Sequence, residues 1–371
     1  MKKRVISIII AVIMMAGAAM PAFAMTGRGS ADSPYLISTE TDLMTCARKN
    51  ETGANPRSNN YKLANDIVIK KEIVIGSAEY PFSGTFDGAG YSITIDCGRY
   101  DSYSGLFGAI AEGASVSNLT VIGEADSCKE TFCGGLCGIN NGTIMNCTNN
   151  VEIDLRNEVT CGGICGHNTV TGRIVNCINN AGIGGRTGAG GICGRNENVI
   201  QNCINTGTAG PTISGGICAY NYGTGTIENC ISTGTVSGNG GICFILGYDL
   251  DRVRNCYFKD DTGSEICSLP DELMRAESGT EGALIDRLNG YQDESGNYPE
   301  DWFIWEKEEG GYPHFPAGGT FNGNANPDEN AKCEKCGFRH SDGLLGSIFC
   351  WLVRVIKAAA DFVRNIVEIT F

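Results

Sequence analysis

Gly162-Gly163-Ile164-Cys165, with Asn176-Cys177 behind it, is one copy of a unit that the chain carries five times in succession. Its first element recurs as Gly134-Gly135-Leu136-Cys137, Gly190-Gly191-Ile192-Cys193, Gly215-Gly216-Ile217-Cys218 and Gly240-Gly241-Ile242-Cys243, so the steps between first cysteines are 28, 28, 25 and 25 residues. The second element recurs as Asn146-Cys147, Asn202-Cys203, Asn229-Cys230 and Asn255-Cys256. A fixed period of this size, in units rich in glycine and poor in helix formers, predicts an all-β solenoid whose coils are stable only when stacked.

Within Gly225-Thr226-Ile227-Glu228-Asn229-Cys230-Ile231 the apolar alternation has period two and changes phase at the asparagine. A strand through Ile227, a bend at Asn229 and a new strand from Cys230 would turn both Ile227 and Cys230 inward. Asn118, Asn146, Asn176, Asn202, Asn229 and Asn255 then form a stacked amide ladder at one corner, each side chain bonded to its neighbours above and below. Phe107 in Gly105-Leu106-Phe107-Gly108 and Leu119 after Asn118 occupy the two cysteine positions one coil upstream, and Gly84 to Ile95 reads as a further coil. The paired glycines are expected to supply positive φ at tight corners. No Gly-Lys-Ser/Thr follows any of them, which excludes a phosphate-cradling loop.

The 19 cysteines would ordinarily indicate a disulfide framework in an exported chain. Here Cys137, Cys165, Cys193, Cys218 and Cys243 fall in one column and Cys147, Cys177, Cys203, Cys230 and Cys256 in another. Neighbours about 4.8 Å apart lie beyond the roughly 3.5–4.5 Å between Cβ atoms that a disulfide prefers. The columns are therefore read as small buried apolar residues, and the producing cell as one that lives with little oxygen.

Lys2-Lys3-Arg4, an apolar run from Val5 and Pro21-Ala22-Phe23-Ala24 form a secretory leader, with cleavage after Ala24. Taking those three cations from the 28 basic residues leaves 25 against 42 acidic ones, net −17. That balance argues against nucleic acid as a partner.

The remaining chain divides into an N-terminal cap over 25–83, solenoid repeats over 84–268, a C-terminal cap over 269–315, a linker over 316–331 and a tail over 332–371. Thr39 and Asp42 have capping-box spacing ahead of a helix. Leu269-Pro270-Asp271-Glu272-Leu273 opens a second helical stretch, and Trp302 to Trp305 with Gly311-Tyr312-Pro313 suggests a closing strand. In the tail, Leu345, Phe349, Leu352, Ile356, Phe362 and Ile366 recur at helical spacing, giving an amphipathic helix. Arg354, Lys357, Asp361 and Arg364 make it a poor membrane span, so residues 343–371 are read as a peripheral membrane contact or a self-association segment.

Cys333, Cys336 and His340, with Cys350, offer soft and imidazole ligands for a structural zinc, and a local disulfide explains the Cys-x-x-Cys pair equally well. Glu152 and Asp154 alternate on a strand and are read as a solvated edge. Asp249, Asp251, Asp260 and Asp261 gather near the last coil, as a calcium site, the acids of a polysaccharide lyase or glycosidase, or a charged end that discourages stacking. Tyr220, Tyr222, Tyr248 and Tyr257 are candidates for stacking on sugar rings. No catalytic or cofactor-binding residue is assigned.

Ser33-Pro34-Tyr35-Leu36-Ile37-Ser38, the stretch from Pro81 to Ile93, Gly105-Leu106-Phe107-Gly108 and the Gly-Gly-Ile-Cys units together resemble bacterial cell-surface proteins built from GLUG-type repeats, over about residues 30–315. The resemblance implies a right-handed parallel β-helix with small helical caps at both ends, and an exported, noncatalytic, adhesin-like scaffold for a glycan or protein ligand. Some relatives carry a separate protease domain, whose His-Glu-x-x-His is absent here. The family's usual Val is Cys in this chain. Cys333-Glu334-Lys335-Cys336-Gly337-Phe338-Arg339-His340 and the following helix resemble a tail of secreted proteins from gut Firmicutes. A carbohydrate-active enzyme and a self-assembling structural surface component are the competing functions.

Overall fold

The computed structural model describes residues 25–51, 59–97, 104–155, 159–211, 213–237, 242–245 and 252–258, with the two strands 306–307 and 313–314. The leader, most of the C-terminal cap, the linker, Asp249, Asp251, Asp260, Asp261, Tyr248 and the tail with Cys333, Cys336, His340 and Cys350 lie outside the described residues.

The chain is a parallel β-solenoid. One coil runs through four short strands, as in Cys137–Asn140, Thr143–Met145, Thr148–Asp154 and Thr160–Gly162, before the next begins at Cys165. Corresponding strands stack in parallel into sheets of six, nine, ten and four strands. Cys137 pairs with Phe107 on one side and Cys165 on the other, and the register continues through Cys193 and Cys218 to Cys243. Among the described strands only Glu306–Lys307 and Pro313–His314 pair antiparallel.

Stacking begins earlier than residue 84. Tyr35–Ile37 and Asn60–Leu63 already belong to the nine-stranded sheet, and Ile67–Ile69 to the ten-stranded one. The cap proper is helix α1, Glu40–Glu51. Its start is a reciprocal box: the Asp42 N–H donates to Thr39 Oγ1 at 3.1 Å and the Thr39 N–H to Asp42 Oδ2 at 3.0 Å. Leu43 and Cys46 face the core, fully buried.

That core is a set of columns. Val116, Ile144, Ile174, Ile200, Ile227 and Val253 pair in register along the nine-stranded sheet, and all are buried. Each such side chain contributes about 1.5–3 kcal/mol on burial. At the N-terminal end the filling is aromatic: Phe107 lies 5.3 Å from both Phe82 and Phe86, edge-on. Toward the C-terminal end cysteines replace these rings. A third, shorter column that the spacing did not suggest aligns Cys133 with Cys161 and then Ala189.

The bend at Asn229 is present, although the next strand starts at Ile231 rather than Cys230. Asn118, Asn146, Asn176, Asn202, Asn229 and Asn255 have φ between 47° and 55°. This left-handed region costs most residues about 1–2 kcal/mol and asparagine less. Each amide donates to the preceding coil, Asn146 to Asn118 at 3.2 Å, Asn176 to Asn146 at 2.9 Å, Asn202 to Asn176 at 2.7 Å, Asn229 to Asn202 at 2.8 Å and Asn255 to Asn229 at 2.6 Å.

The paired glycines serve a different purpose from the one expected. Among the described residues no glycine of a Gly-Gly pair adopts positive φ, which falls instead on these asparagines, on Ala89 and on single glycines such as Gly105 and Gly123. Close approach is what excludes a side chain there. A Cβ on Gly134 would lie 2.2 Å from the Cys137 carbonyl oxygen, and one on Gly135 1.9 Å from Asn149 Oδ1.

Asn149 belongs to one of two further ladders. Asn140 donates to Asn168, Asn168 to Asn196 and Asn196 to Asn221, each at 2.8 Å, while Asn149 donates to Asn179 and Asn179 to Asn205 at 2.8 Å, and Asn205 to Ser232 Oγ at 3.2 Å. These amides donate toward the following coil, opposite to the corner ladder. Their orientation is fixed by the backbone, because the Gly142 and Val151 N–H groups each donate to an Oδ1, at 3.1 Å.

Candidate functional site

One outward column carries chemistry rather than packing. Ile139, His167, Arg195 and Tyr220 are paired in register on four successive coils of the six-stranded sheet. Each sits two residues beyond a column cysteine, so the inward cysteine fixes where its partner emerges. Glu197 and Tyr222 follow at the next alternate positions on their coils.

The side chains converge. His167 lies over Phe132 with ring centroids 4.6 Å apart, and Tyr220 stacks on Tyr222 at 5.8 Å and 19°. The Arg195 guanidinium sits 4.7 Å from the centre of the Tyr222 ring and pairs with Glu197, whose carboxylate is 3.5 Å from His167 Nε2. The Tyr220 hydroxyl donates to the Thr187 carbonyl at 2.6 Å, and its ring covers Gly188, where a Cβ would meet it at 2.5 Å. His167 Nε2 and Arg195 Nε are buried without a hydrogen-bond partner. An unsatisfied buried polar atom costs about 1–3 kcal/mol, and for His167 Nε2 the Glu197 carboxylate at 3.5 Å offsets part of that.

Burial lowers the His167 pKa below 6.5, with the Arg195 charge acting in the same direction and Cys193 and Glu197 opposing it. Burial also raises Tyr220, aided by Tyr222. For His167 the native state binds fewer protons than the unfolded chain between the lowered pKa and 6.5. Its contribution to stability is therefore complete above about pH 6.5 and is lost as the pH falls. Urea midpoints measured from pH 8 to pH 5 should fall less steeply for His167→Phe, which keeps the stack on Phe132. Identical slopes for the two proteins would refute a neutral buried imidazole.

Of the four tyrosines singled out from sequence, the structure brings Tyr220 and Tyr222 together. Tyr257 is buried elsewhere, its hydroxyl on Asn255 Oδ1. His167, Arg195 and Glu197 were not found from sequence. Glu152 pairs in register with Glu124, and its Oε2 accepts the Gly182 N–H at 2.8 Å, which commits that carboxylate to the backbone.

The cysteine columns are as expected from the spacing. Cys137, Cys147, Cys165, Cys177, Cys193, Cys203, Cys218, Cys230 and Cys256 are all fully buried thiols. Burial pushes Cys147, Cys165, Cys203 and Cys230 well above the ordinary thiol value. Burial opposes ionisation of Cys177 and Cys193 too, yet hydrogen bonds from the flanking sulfurs draw both well below it.

Residues 210–237, the coil that carries Tyr220 and Tyr222, match the GLUG motif. The chain therefore carries a GLUG motif on one coil of a parallel β-solenoid. It is 31% identical to halomucin of Haloquadratum walsbyi over 141 residues, which cover 33% of this chain and 1% of halomucin's length. A candidate immunoglobulin A1 protease from Bacteroides ovatus, known from a crystal structure, superposes with a TM-score of 0.55 at 20% identity, over 78% of this chain and 94% of that one. That likeness is one of fold.

Proposed function

We propose that the protein is an exported, noncatalytic β-helix scaffold of the bacterial surface that binds a glycan in the manner of an adhesin, through the face formed by Tyr220, Tyr222, Arg195 and Glu197. The observation that carries this reading is the stacked tyrosine pair with the Arg195 guanidinium over the Tyr222 ring and Glu197 beside it, an aromatic surface for sugar C–H groups next to donors and acceptors for hydroxyls. The leader over residues 1–24 supports export, and the similarity to halomucin agrees with it. Residues 343–371 would hold the protein at the surface, by peripheral membrane contact or self-association, with the Cys333, Cys336, His340 and Cys350 group as a zinc-stabilised or disulfide-closed turn before them.

A glycan array read with wild type and Tyr222→Ala tests the proposal. Loss of the ring should weaken the strongest signals up to about tenfold, the effect of removing one stacking contact of about 0.5–1.5 kcal/mol. Unchanged binding would remove this face from consideration, and the absence of any glycan signal would favour a protein ligand.

The fold shared with the Bacteroides ovatus protein keeps a catalytic reading open to test, with the acidic residues Asp249 to Asp261 as its site. Incubation with a panel of polysaccharides and assay for reducing ends or unsaturated products decides it. Turnover abolished by Asp251→Asn would overturn the noncatalytic reading. Assembly that requires residues 343–371 and proceeds without any ligand would favour a purely structural surface component.

A further inference from the structure

The surroundings of the corner ladder change along the molecule. Asn118 and Asn146 are half-buried, whereas Asn202 and Asn229 are fully buried. The outward positions beside the corner change with them. Strand alternation turns Cys147, Cys177, Cys203, Cys230 and Cys256 inward, so the next residues, Thr148, Ile178, Ile204, Ile231 and Tyr257, paired in register, point away from the core. Thr148 and Ile178 are half-buried there, but Ile204 is 3% exposed, Ile231 0% and Tyr257 3%. On the other flank of the corner Glu228 is buried, where Met145 at the same register position is half-buried.

An outward side chain between two like neighbours keeps its tip in water, and among the described coils Tyr257 has a neighbour on one side only. This stripe is therefore covered. Helix α1 does not cover it, since it packs at the opposite end, against Tyr35–Ile37 and Ile67–Ile69. A second copy does not cover it either, because the burial is that of a single chain. The cover belongs to this chain, outside the described residues.

The C-terminal cap and the tail both carry apolar residues at helical spacing, and charge chooses between them. The last coil flanks the stripe with Arg254, in register with Glu228, and brings Arg252 beside it. Residues 269–315 hold twelve acidic side chains against three basic ones, whereas residues 332–371 hold four against six. The acidic segment suits the basic end. Spacing agrees, because a helix laid along the axis returns to one face about every 5.4 Å, close to the about 4.8 Å between coils. Ten residues, 259–268, separate Phe258 from Leu269, and they reach up to about 33 Å, enough to turn back along the stripe.

We propose that Ile204, Ile231 and Tyr257, with the asparagine corner beside them, are the docking surface for the chain's own residues 269–315, whose apolar face through Leu284, Ile285 and Leu288 lies lengthwise on them. The C-terminal cap is then a lateral brace across three coils. It leaves the Tyr220 and Tyr222 face, on a different sheet, open.

The test uses the full chain. The photo-cross-linker p-benzoylphenylalanine replaces Thr233, the next outward residue after Ile231, or Thr85, outward near the N-terminal end, and linked peptides are identified by mass spectrometry. We expect links from position 233 into residues 269–315 and none into that segment from position 85. Links from position 233 only to other parts of the chain or to a second copy, or no link in a folded protein, would each overturn the proposal. Hydrogen exchange gives a second reading. Ile231→Asp should speed exchange across residues 269–289 at least about tenfold, the effect of taking one large side chain out of a buried contact, and leave residues 137–150 unchanged. If that variant fails to fold, Arg254→Glu, at a half-buried position, should speed it a few-fold. Exchange across 269–289 that matches wild type in a folded variant would sink the proposal as well.

Discussion

Asn202→Ala lowers the unfolding free energy by roughly 4 kcal/mol, a large share of the 5–15 kcal/mol that typically separates folded from unfolded protein. Two causes add. Alanine at φ 52° incurs about 1 kcal/mol that asparagine largely avoids. Removing the amide also takes a hydrogen bond from Asn176 Oδ1 and one from Asn229 Nδ2, both on fully or almost fully buried residues, at about 1–3 kcal/mol each. Asn202→Gly separates the two, since it relieves the backbone and still breaks the ladder. It should be about 1 kcal/mol more stable than the alanine variant in urea unfolding followed by circular dichroism. A loss below 0.5 kcal/mol in both variants, well under the ~1 kcal/mol expected for one lost hydrogen bond, would show that the corner ladder is not a structural necessity.

Gly163→Ala should be as damaging or worse, at about 4 kcal/mol or more. Its Cβ would stand 2.1 Å from the Gly191 carbonyl oxygen and 2.4 Å from Asn179 Cγ. Neither can retreat, because the first belongs to the next coil and the second is locked in an interior ladder. Gly184→Ala is the control, with its nearest atom at 3.2 Å, and should cost less than about 1 kcal/mol. Soluble expression, then Tm, reads both. A Gly163→Ala protein that melts with wild type would mean that the coils are not held at the spacing described.

The features that announced themselves in the sequence are those in which one residue type recurs at one place. Cys137 to Cys243, Cys147 to Cys256 and the corner asparagines repeat chemically as well as positionally, so their stacking could be inferred before any coordinates. The interior ladders were equally periodic, with Asn140, Asn168, Asn196 and Asn221 each three residues beyond a first-column cysteine. Nothing in their own chemistry announces a buried position, since asparagine is ordinarily an exposed residue. The glycine pairs were recognised for the wrong property, since close approach between coils is a relation across sequence and φ is a local one. Of the candidate site only Tyr220 and Tyr222 showed in the sequence, as neighbouring aromatics. Ile139, His167, Arg195 and Tyr220 share neither size nor charge, and only strand register makes them neighbours. Functional variety placed on a regular frame escapes any search for regularity.

The opposed directions of the amide ladders have a consequence for how such a molecule can lengthen. If all three rows of side chains pointed the same way, every added coil would deepen a single macroscopic dipole, and long arrays would suffer a mounting electrostatic penalty at their tips. With one row reversed, the moments partly cancel within each coil, so a new coil brings nearly constant energy wherever it is inserted. Tandem duplication of one 25- to 28-residue segment is then almost neutral for folding, so the number of coils is free to vary.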